Sequence, residues 1–167
     1  AKYGDRFEKI VAANTGLPTG KAPLSEGFAV FREFLQIKPD LHVAGQVRNG
    51  TTKGIDENAL AAYNAPFPDD DHKQGVRQFP NLVPGTPRTP SAEPNKEAWK
   101  ILREWEKPFL CAFSDKDPIF SGVENSFYKL IPGCKDMPHV TIENAGHFLQ
   151  EDQPNACVEA ILSIKDI

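Results

Sequence analysis

Three short apolar runs without hydrophobic alternation stand out along the chain. The first lies at the end of segment 7–14, and the other two span residues 109–113 and 139–142. Strands of a parallel sheet have this form because helices cover both of their faces. The three runs therefore predict three buried parallel strands.

Between these runs, apolar residues recur at intervals of three and four, which is the spacing of amphipathic helices. Phe28, Phe31 and Phe34 predict a helix that begins after Ser25, a favourable N-cap, and ends before Pro39. Further helices are predicted over residues 56–63, 69–79, 95–106, 123–130 and 155–164. Strands that alternate with helices predict a parallel sheet in an α/β fold.

Three strands are few for such a sheet, because parallel strands need neighbours on both sides and cover on both faces. The chain also begins without a methionine, within the predicted junction of a helix and the first strand. We therefore expect a piece of a larger domain. Most of the 15 prolines fall between Pro66 and Pro108, which predicts an irregular, loop-rich middle.

Composition narrows the classes of partner. Among 167 residues, 19 Lys and Arg stand against 23 Asp and Glu, giving a net charge of −4 with no basic cluster. Nucleic-acid binding is not expected, because it requires a concentration of positive charge. No segment approaches the ~20 apolar residues that cross a bilayer, so membrane insertion is not expected either.

The three cysteines, Cys111, Cys134 and Cys157, are widely spaced and lack the paired short spacing of a zinc site. We expect them to be free thiols that act as small buried hydrophobic residues. Free thiols are typical of a reducing compartment, here the cytoplasm.

Polar residues follow each predicted strand, at the sheet edge where open α/β sheets bind ligands. Asn14 follows the first strand, Asp115 and Asp117 follow the second, and His147 lies in the loop after the third. An acid that orients an imidazole general base activates a nucleophile or a water molecule, and the order acid before histidine is that of α/β-hydrolases. Asp115 is the alternative acid, and a coincidental Asp and His thirty positions apart is the alternative to a site.

Four blocks carry a specific resemblance. They are IVAANTGLPTG over residues 10–20, AAYNAPFPDDDHKQGVRQFPNLVP over 61–84, PFLCAFSDKDPIF over 108–120 and NAGHFLQED over 144–152. In this order they resemble the second half of a haloalkane dehalogenase of the α/β-hydrolase superfamily. The resemblance implies the C-terminal part of a mostly parallel sheet with an inserted helical cap: a core strand and preceding helix end over 1–20, the cap over 21–94, and the C-terminal core with its acid and histidine loops over 95–167.

The same resemblance implies a reaction. A haloalkane is hydrolysed to an alcohol plus halide through a covalent alkyl-enzyme ester, with water as the only co-substrate and no metal or organic cofactor. His147 matches the base that activates water, and Asp117 matches the acid that orients it. Members of the family place that acid after either of two strands, and because Asn14 is not ionisable, the chain resembles the subgroup with the later acid.

Cap positions match a substrate pocket for a haloalkane-like molecule. The matching residues are Phe28, Pro80 and Val83, and less closely Phe79, Ile119 and Phe148. Phe31 stands where this subgroup usually has a tryptophan whose indole N–H holds the halide, and Phe31 has no such donor. The alternative interpretation of Phe28, Phe31 and Phe34 is a core-facing aromatic stripe.

The family's nucleophilic aspartate, the tryptophan after it and the oxyanion-hole His-Gly stretch belong to the first half of the fold, and no residue here matches them. Segment 69–71 is more typical of a solvated helix start. The chain is thus expected to supply acid, base and cap to an N-terminal half of the same fold, and to be inactive alone. Two alternatives stay open: an esterase or epoxide hydrolase on this scaffold, and an inactive fragment that pairs its first strand with a partner's sheet.

Overall fold

Strand β2 (Phe109–Ser114) lies at the centre of a three-stranded parallel sheet, and all six of its residues are buried. Its first half pairs with β1 (Ile10–Ala12) and its second half pairs with β3 (Val140–Ile142). The order is β1-β2-β3, in a computed structural model that describes residues 1–165 and 167. The three predicted strands and their parallel arrangement are confirmed.

The described residues form eight α-helices and four short 3-10 turns, of which the first precedes β1, two lie between helices and the last precedes β3. The helices are α1 (Glu26–Ile37), α2 (Val43–Asn49), α3 (Glu57–Asn64), α4 (Gln74–Gln78), α5 (Ala92–Leu102), α6 (Glu124–Leu130), α7 (Leu149–Asp152) and α8 (Pro154–Leu162). The Ser25 hydroxyl accepts a hydrogen bond from the Phe28 N–H, as expected of the predicted cap.

Two helices were not predicted and one is displaced from its predicted range. The sequence analysis did not predict α2 and α7. Helix α5 begins at Ala92 rather than at residue 95, and it ends at Leu102, four residues before the predicted end. Pro94 lies in the first turn of α5, where a proline is tolerated because its missing N–H would have no helical partner.

The core has two layers, one on each face of the sheet. Alternate residues of β2 enter opposite layers, since Phe109, Cys111 and Phe113 pack with Trp105 and Phe127 on one face. On the other face, the buried cluster consists of Leu110, Ala112, Ile142, Ala145, Leu149, Ala160 and Ile164. Helical cover on both faces explains why β2 has no polar side.

The segment from α1 to α4 has a smaller core of its own, formed by Leu35, Leu41 and Val43 with partly buried aromatic residues around them. Arg77 fixes the end of α1, because its guanidinium donates to the carbonyl oxygens of Leu35, at 2.7 Å, and of two residues just beyond the helix. A cation at a helix C-terminus is stabilised by the helix dipole.

The cysteines agree with one compositional expectation. The three cysteines are free thiols, with Cys111 and Cys134 buried and Cys157 partly buried. Within residues 1–165 and 167, none of the helices combines the length and the apolar character that crossing a bilayer demands.

Candidate active site

Asn14 holds the ends of the strands together. Its side-chain amide nitrogen lies 2.7 Å from the Ser114 hydroxyl, 2.9 Å from the Gly146 carbonyl oxygen and 3.0 Å from the His147 carbonyl oxygen. Its side-chain oxygen accepts the Ser114 N–H at 2.9 Å. Asn14 has a φ of +37°, in a region that asparagine tolerates better than most residues. The backbone of Gly146 and His147 is therefore anchored to the ends of β1 and β2.

Asp117 and His147 form a directed pair. The His147 Nδ1 lies 3.0 Å from Asp117 Oδ2, and the exposed fractions of the two side chains are 27% and 1%, respectively. The other carboxylate oxygen of Asp117 accepts the Ile119 N–H at 2.8 Å. Because a carboxylate only accepts hydrogen bonds, Nδ1 carries the proton of the neutral ring and Nε2 is left with a free lone pair.

Two aromatic rings confine the imidazole. Phe120 stacks on His147 with ring centroids 5.7 Å apart and planes 24° apart, and Phe148 meets it edge-on with centroids 5.0 Å apart. Together with Asp117 they fix both the position and the plane of the ring. An imidazole held in this way presents Nε2 in one direction, as a general base must.

The alternative acid, Asp115, has a different role. It is exposed, and its carboxylate accepts the Ala145 N–H at 3.2 Å. Partial desolvation opposes ionisation of Asp115, yet the N–H groups of Asn144 and Ala145 hold the pKa of its carboxyl below the ordinary value. The carboxylate of Asp117 therefore accepts from the His147 ring, whereas that of Asp115 accepts from the backbone of the loop after β3.

A cavity of about 510 Å³ opens beside His147. Four of the residues that the resemblance assigns to the pocket line it: Phe28 and Phe31 from α1, Ile119 after β2, and Phe148. A second cavity of about 420 Å³ shares Phe28, Ile119 and Phe120 with the first and is lined in addition by Val83. The two cavities thus adjoin along one aromatic wall.

Two of the expected pocket residues lie elsewhere. Pro80 is buried within the 3-10 turn Phe79–Leu82 and is not among the described residues that line the two cavities. Phe79 is 71% exposed on the outer surface of the helical segment. Phe79 is therefore not among the described residues that line the cavity beside His147.

Polar groups enter the cavity from α2, which the sequence analysis missed. Gln46 and Asn49 line the cavity with amide side chains, and Thr51, Thr52 and Lys116 line it as well. Phe31 contributes only an aromatic ring, and the hydroxyl protons of Thr51 and Thr52 are donated to the carbonyl oxygens of Arg48 and Asn144. The amides of Gln46 and Asn49 and the Lys116 ammonium are therefore the side-chain N–H donors on that side. An apolar pocket with a few polar groups is the usual form of a small-molecule site.

The described cavity walls contain an imidazole but few side chains that could act as a nucleophile. Among the described residues that line the cavity there is no Asp, Glu, Ser or Cys. Across residues 1–165 and 167, no three His, Cys, Asp or Glu side chains cluster as metal ligands would.

Sequence comparison finds curated haloalkane dehalogenases. The chain is 49% identical over 153 residues to one from Psychrobacter cryohalolentis, covering 92% of this chain and 50% of that protein. It is 39% identical over 163 residues to one from Mycobacterium marinum, covering 98% and 54%. The chain therefore spans about half the length of the curated relatives it matches. No protein-family model matches it.

Structural comparison agrees. The haloalkane dehalogenase DpaA from Paraglaciecola agarilytica NO2 superposes with a TM-score of 0.86 at 28% sequence identity, over 99% of this chain and 55% of that one. The predicted resemblance to haloalkane dehalogenases and the predicted fold, part of an α/β-hydrolase, are confirmed.

Proposed function

We propose that this chain forms the acid, base and cap part of an enzyme that hydrolyses haloalkanes to alcohol and halide. The observation that carries the proposal is the buried Asp117–His147 pair beside a largely apolar cavity. The similarity to haloalkane dehalogenases on both sequence and structure supports it. In this proposal residues 1–20 and 95–167 form the core of the fold, and residues 21–94 form the cap.

In the proposed reaction a carboxylate nucleophile, supplied by a segment outside residues 1–167, displaces halide from the substrate carbon and forms an alkyl ester. Water then attacks the ester carbonyl carbon while His147 Nε2 takes a water proton, and Asp117 stabilises the resulting imidazolium. Cleavage of the acyl C–O bond regenerates the carboxylate. Of the two water protons, one leaves in the hydroxyl group of the alcohol and the other is released to solvent with the halide. His147 is thus needed for the second step and not for the first.

The segment with the nucleophile would join the sheet at β1. Within the described residues β1 pairs only with β2, so its other edge offers unpaired N–H and C=O groups. Beside this edge an open cavity is lined by Val11 together with Ile161 and Leu162 of α8, both more than half exposed. An unpaired edge next to an apolar helix face suits strand addition.

Halide stabilisation falls to groups other than Phe31. Charge develops on the leaving halide, and preorganised donors in a dry pocket stabilise it. Gln46 and Asn49 of α2 bring amide N–H groups to the cavity, while Phe28, Ile119 and Phe148 bound its apolar part. Val83 lines the adjoining cavity.

A second candidate function, hydrolysis of an ester or epoxide, is favoured by one observation. Phe31 lacks the N–H that the family resemblance expects at that position, and an ester or epoxide does not need a halide donor there. The fold and the Asp117–His147 pair suit this chemistry equally, so only an assay separates the two.

The experiment starts with native mass spectrometry of the protein purified from its natural source, because the proposed reaction needs a nucleophile from another segment. We expect a mass above the 18.5 kDa of this chain, from a longer polypeptide or a second one. Halide release from a short bromoalkane is then measured, with His147→Ala in parallel. Release that depends on His147 supports the proposal, whereas no release, or release unaffected by His147→Ala, contradicts it.

A further inference from the structure

Asp152, the last residue of α7, carries a buried carboxylate that is separate from the Asp117–His147 pair. The residue is only 2% exposed. A charge at this depth is costly unless hydrogen bonds replace the lost water. Within the described residues no Lys or Arg forms an ion pair with the carboxylate, since Lys53 Nζ donates instead to the Asp152 backbone oxygen at 2.8 Å.

Backbone N–H groups replace the missing cation. Asp152 Oδ1 accepts from Thr52 and Lys53, both at 3.0 Å, and Oδ2 accepts from Thr52 at 2.9 Å and from Gly146 at 2.8 Å. Burial by itself raises the pKa of Asp152, but the N–H groups of Gly146, Thr52 and Lys53 hold that pKa below its ordinary value. The side chain is therefore a fully bonded carboxylate.

The donors come from the two loops that meet at the cavity. Thr52 and Lys53 follow α2, the helix that brings Gln46 and Asn49 to the cavity wall. Gly146 immediately precedes His147. The Asp152 carboxylate thus connects segment 52–53, which follows α2, to Gly146, the residue before His147.

Further contacts bring the same two loops together at backbone distance. The Phe148 N–H donates to the Gly50 carbonyl oxygen at 3.1 Å, and the Thr52 hydroxyl donates to the Asn144 carbonyl oxygen at 2.9 Å. A Cβ at Gly146 would lie 2.5 Å from the Gly50 carbonyl oxygen, so only glycine permits this approach. The loop that carries His147 is therefore held by Asn14 on one side and by segment 50–53 with Asp152 on the other.

We propose that Asp152 is a positioning residue that fixes the backbone next to His147 against the cap, through the N–H groups of Gly146, Thr52 and Lys53. The inference rests on the proposed function, because it assigns Asp152 a role toward His147 as a base. Asp152 itself does not touch the reacting atoms.

The test compares Asp152→Asn with Glu143→Gln in the complete protein, at temperatures well below the melting point of each. Glu143 is an exposed carboxylate in the same loop, which makes it the matched control. In Asp152→Asn, hydrogen exchange of the Gly146, Thr52 and Lys53 amides should accelerate at least about tenfold, since hydrogen bonds to a charged group are lost. Glu143→Gln should leave these amides unchanged.

The kinetic measurement separates positioning from a general loss of folded protein. With a short bromoalkane, Asp152→Asn should lower kcat at least about tenfold and accumulate the alkyl ester, visible by intact-protein mass spectrometry, because only the His147-dependent step slows. A merely structural role would lower the folded fraction and slow both steps equally. Equal slowing, or unchanged exchange, overturns the inference.

Two further measurements keep the outcome decisive. If the wild-type protein releases no halide, the proposed function fails. The inference is then tested by NMR of the His147 ring: a midpoint that moves in Asp152→Asn supports the inference, and an unchanged midpoint overturns it. Where Asp152→Asn does not fold, the wild-type protein is acidified: the Gly146 amide shift must follow the Asp152 carboxyl carbon with one midpoint. Separate midpoints overturn the inference.

Discussion

Within residues 1–165 and 167 there are two Asp–His pairs, one on the outer face of the helical segment and one at the end of the sheet. Asp69 Oδ1 lies 2.6 Å from His72 Nδ1, and both side chains are more than half exposed, at 57% and 56%. Asp117 Oδ2 lies 3.0 Å from His147 Nδ1, where the carboxylate is buried. The shorter distance belongs to the surface pair, so distance alone does not identify a catalytic pair.

What separates the two pairs is how each is built. Asp69 and His72 are three residues apart, and the same carboxylate oxygen accepts the His72 N–H at 3.1 Å, so the contact stabilises one local turn. Asp117 and His147 come from loops after two neighbouring strands and meet beside a cavity. A base must meet its substrate away from bulk water, and only the second pair satisfies this condition.

The largest expected effect is on activity. Asp117→Asn should lower halide release by about 10³-fold to 10⁴-fold, because an asparagine amide donates to Nδ1 and forces the proton onto Nε2. Asp69→Asn, the matched variant of the surface pair, should leave the rate within about twofold, as exposed pairs contribute little. Steady-state halide release from the complete protein measures both.

Equal losses in the two variants would break the comparison, because burial and the cavity would then not distinguish the pairs. Nitrogen NMR of the two imidazole rings sharpens the test. Asp117→Asn should change the tautomer of His147 without affecting His72, and Asp69→Asn should do the reverse.

The three parallel strands and most helices followed from the sequence for local reasons. The run over 109–113 lacks alternation because both faces of β2 are covered, and α1 has a favourable cap at Ser25. Helix α2 was missed because its N-cap is His42, whose ring nitrogen accepts the Gly45 N–H at 3.0 Å, and histidine is not a usual capping residue. Helix α7 has only four residues, too few to display a periodicity.

The candidate site was predictable only in part. Asp117 and His147 were placed together by the rule that neighbouring parallel strands end at the same edge. The bonding of Asn14 to the histidine loop and of Asp152 to segment 50–53 joins residues about 100 or more positions apart, a contact with no local sequence signal. Phe79 stays a prediction, since it is exposed and is not among the described residues that line the two cavities.

The next effect compares the cores of the two regions. Leu110 in β2 and Leu35 in α1 are both fully buried. Leu110→Ala should lower the free energy of unfolding by about 3–5 kcal/mol, and Leu35→Ala by about 2–3 kcal/mol, because the smaller helical core can collapse around the missing atoms. Urea unfolding of the complete protein measures both, with exposed Ile37→Ala as the control, expected within about 0.5 kcal/mol of wild type. A larger loss of unfolding free energy in Leu35→Ala than in Leu110→Ala would contradict the expectation that the helical core is the more adaptable of the two.

A smaller effect concerns the donor that Phe31 lacks. Phe31→Trp places an indole N–H in the cavity and should raise halide release from a bromoalkane by about tenfold, since a positioned donor stabilises the leaving halide. Phe31→Leu, which removes the aromatic ring without adding a donor, should give no gain. The same variants are assayed on a short-chain ester. Unchanged halide release in Phe31→Trp, together with rapid ester hydrolysis, would favour the esterase alternative instead.

The smallest effect belongs to the surface pair, and it appears in a titration. The hydrogen bond from the His72 side chain, with a second from its backbone N–H, lowers the pKa of Asp69. A lowered pKa contributes stability above the unfolded-state value, near 3.9 for an ordinary aspartate, and this contribution is lost as the pH falls through the folded-state value. Carbon NMR of the Asp69 carboxyl should show that His72→Gln moves the midpoint back toward the ordinary value, and that about 0.5 M salt does so in part, because exposed charges are screened. A midpoint that responds to neither change would mean that the backbone N–H alone stabilises the carboxylate, and the imidazole of the surface pair would then be a bystander, in contrast to His147.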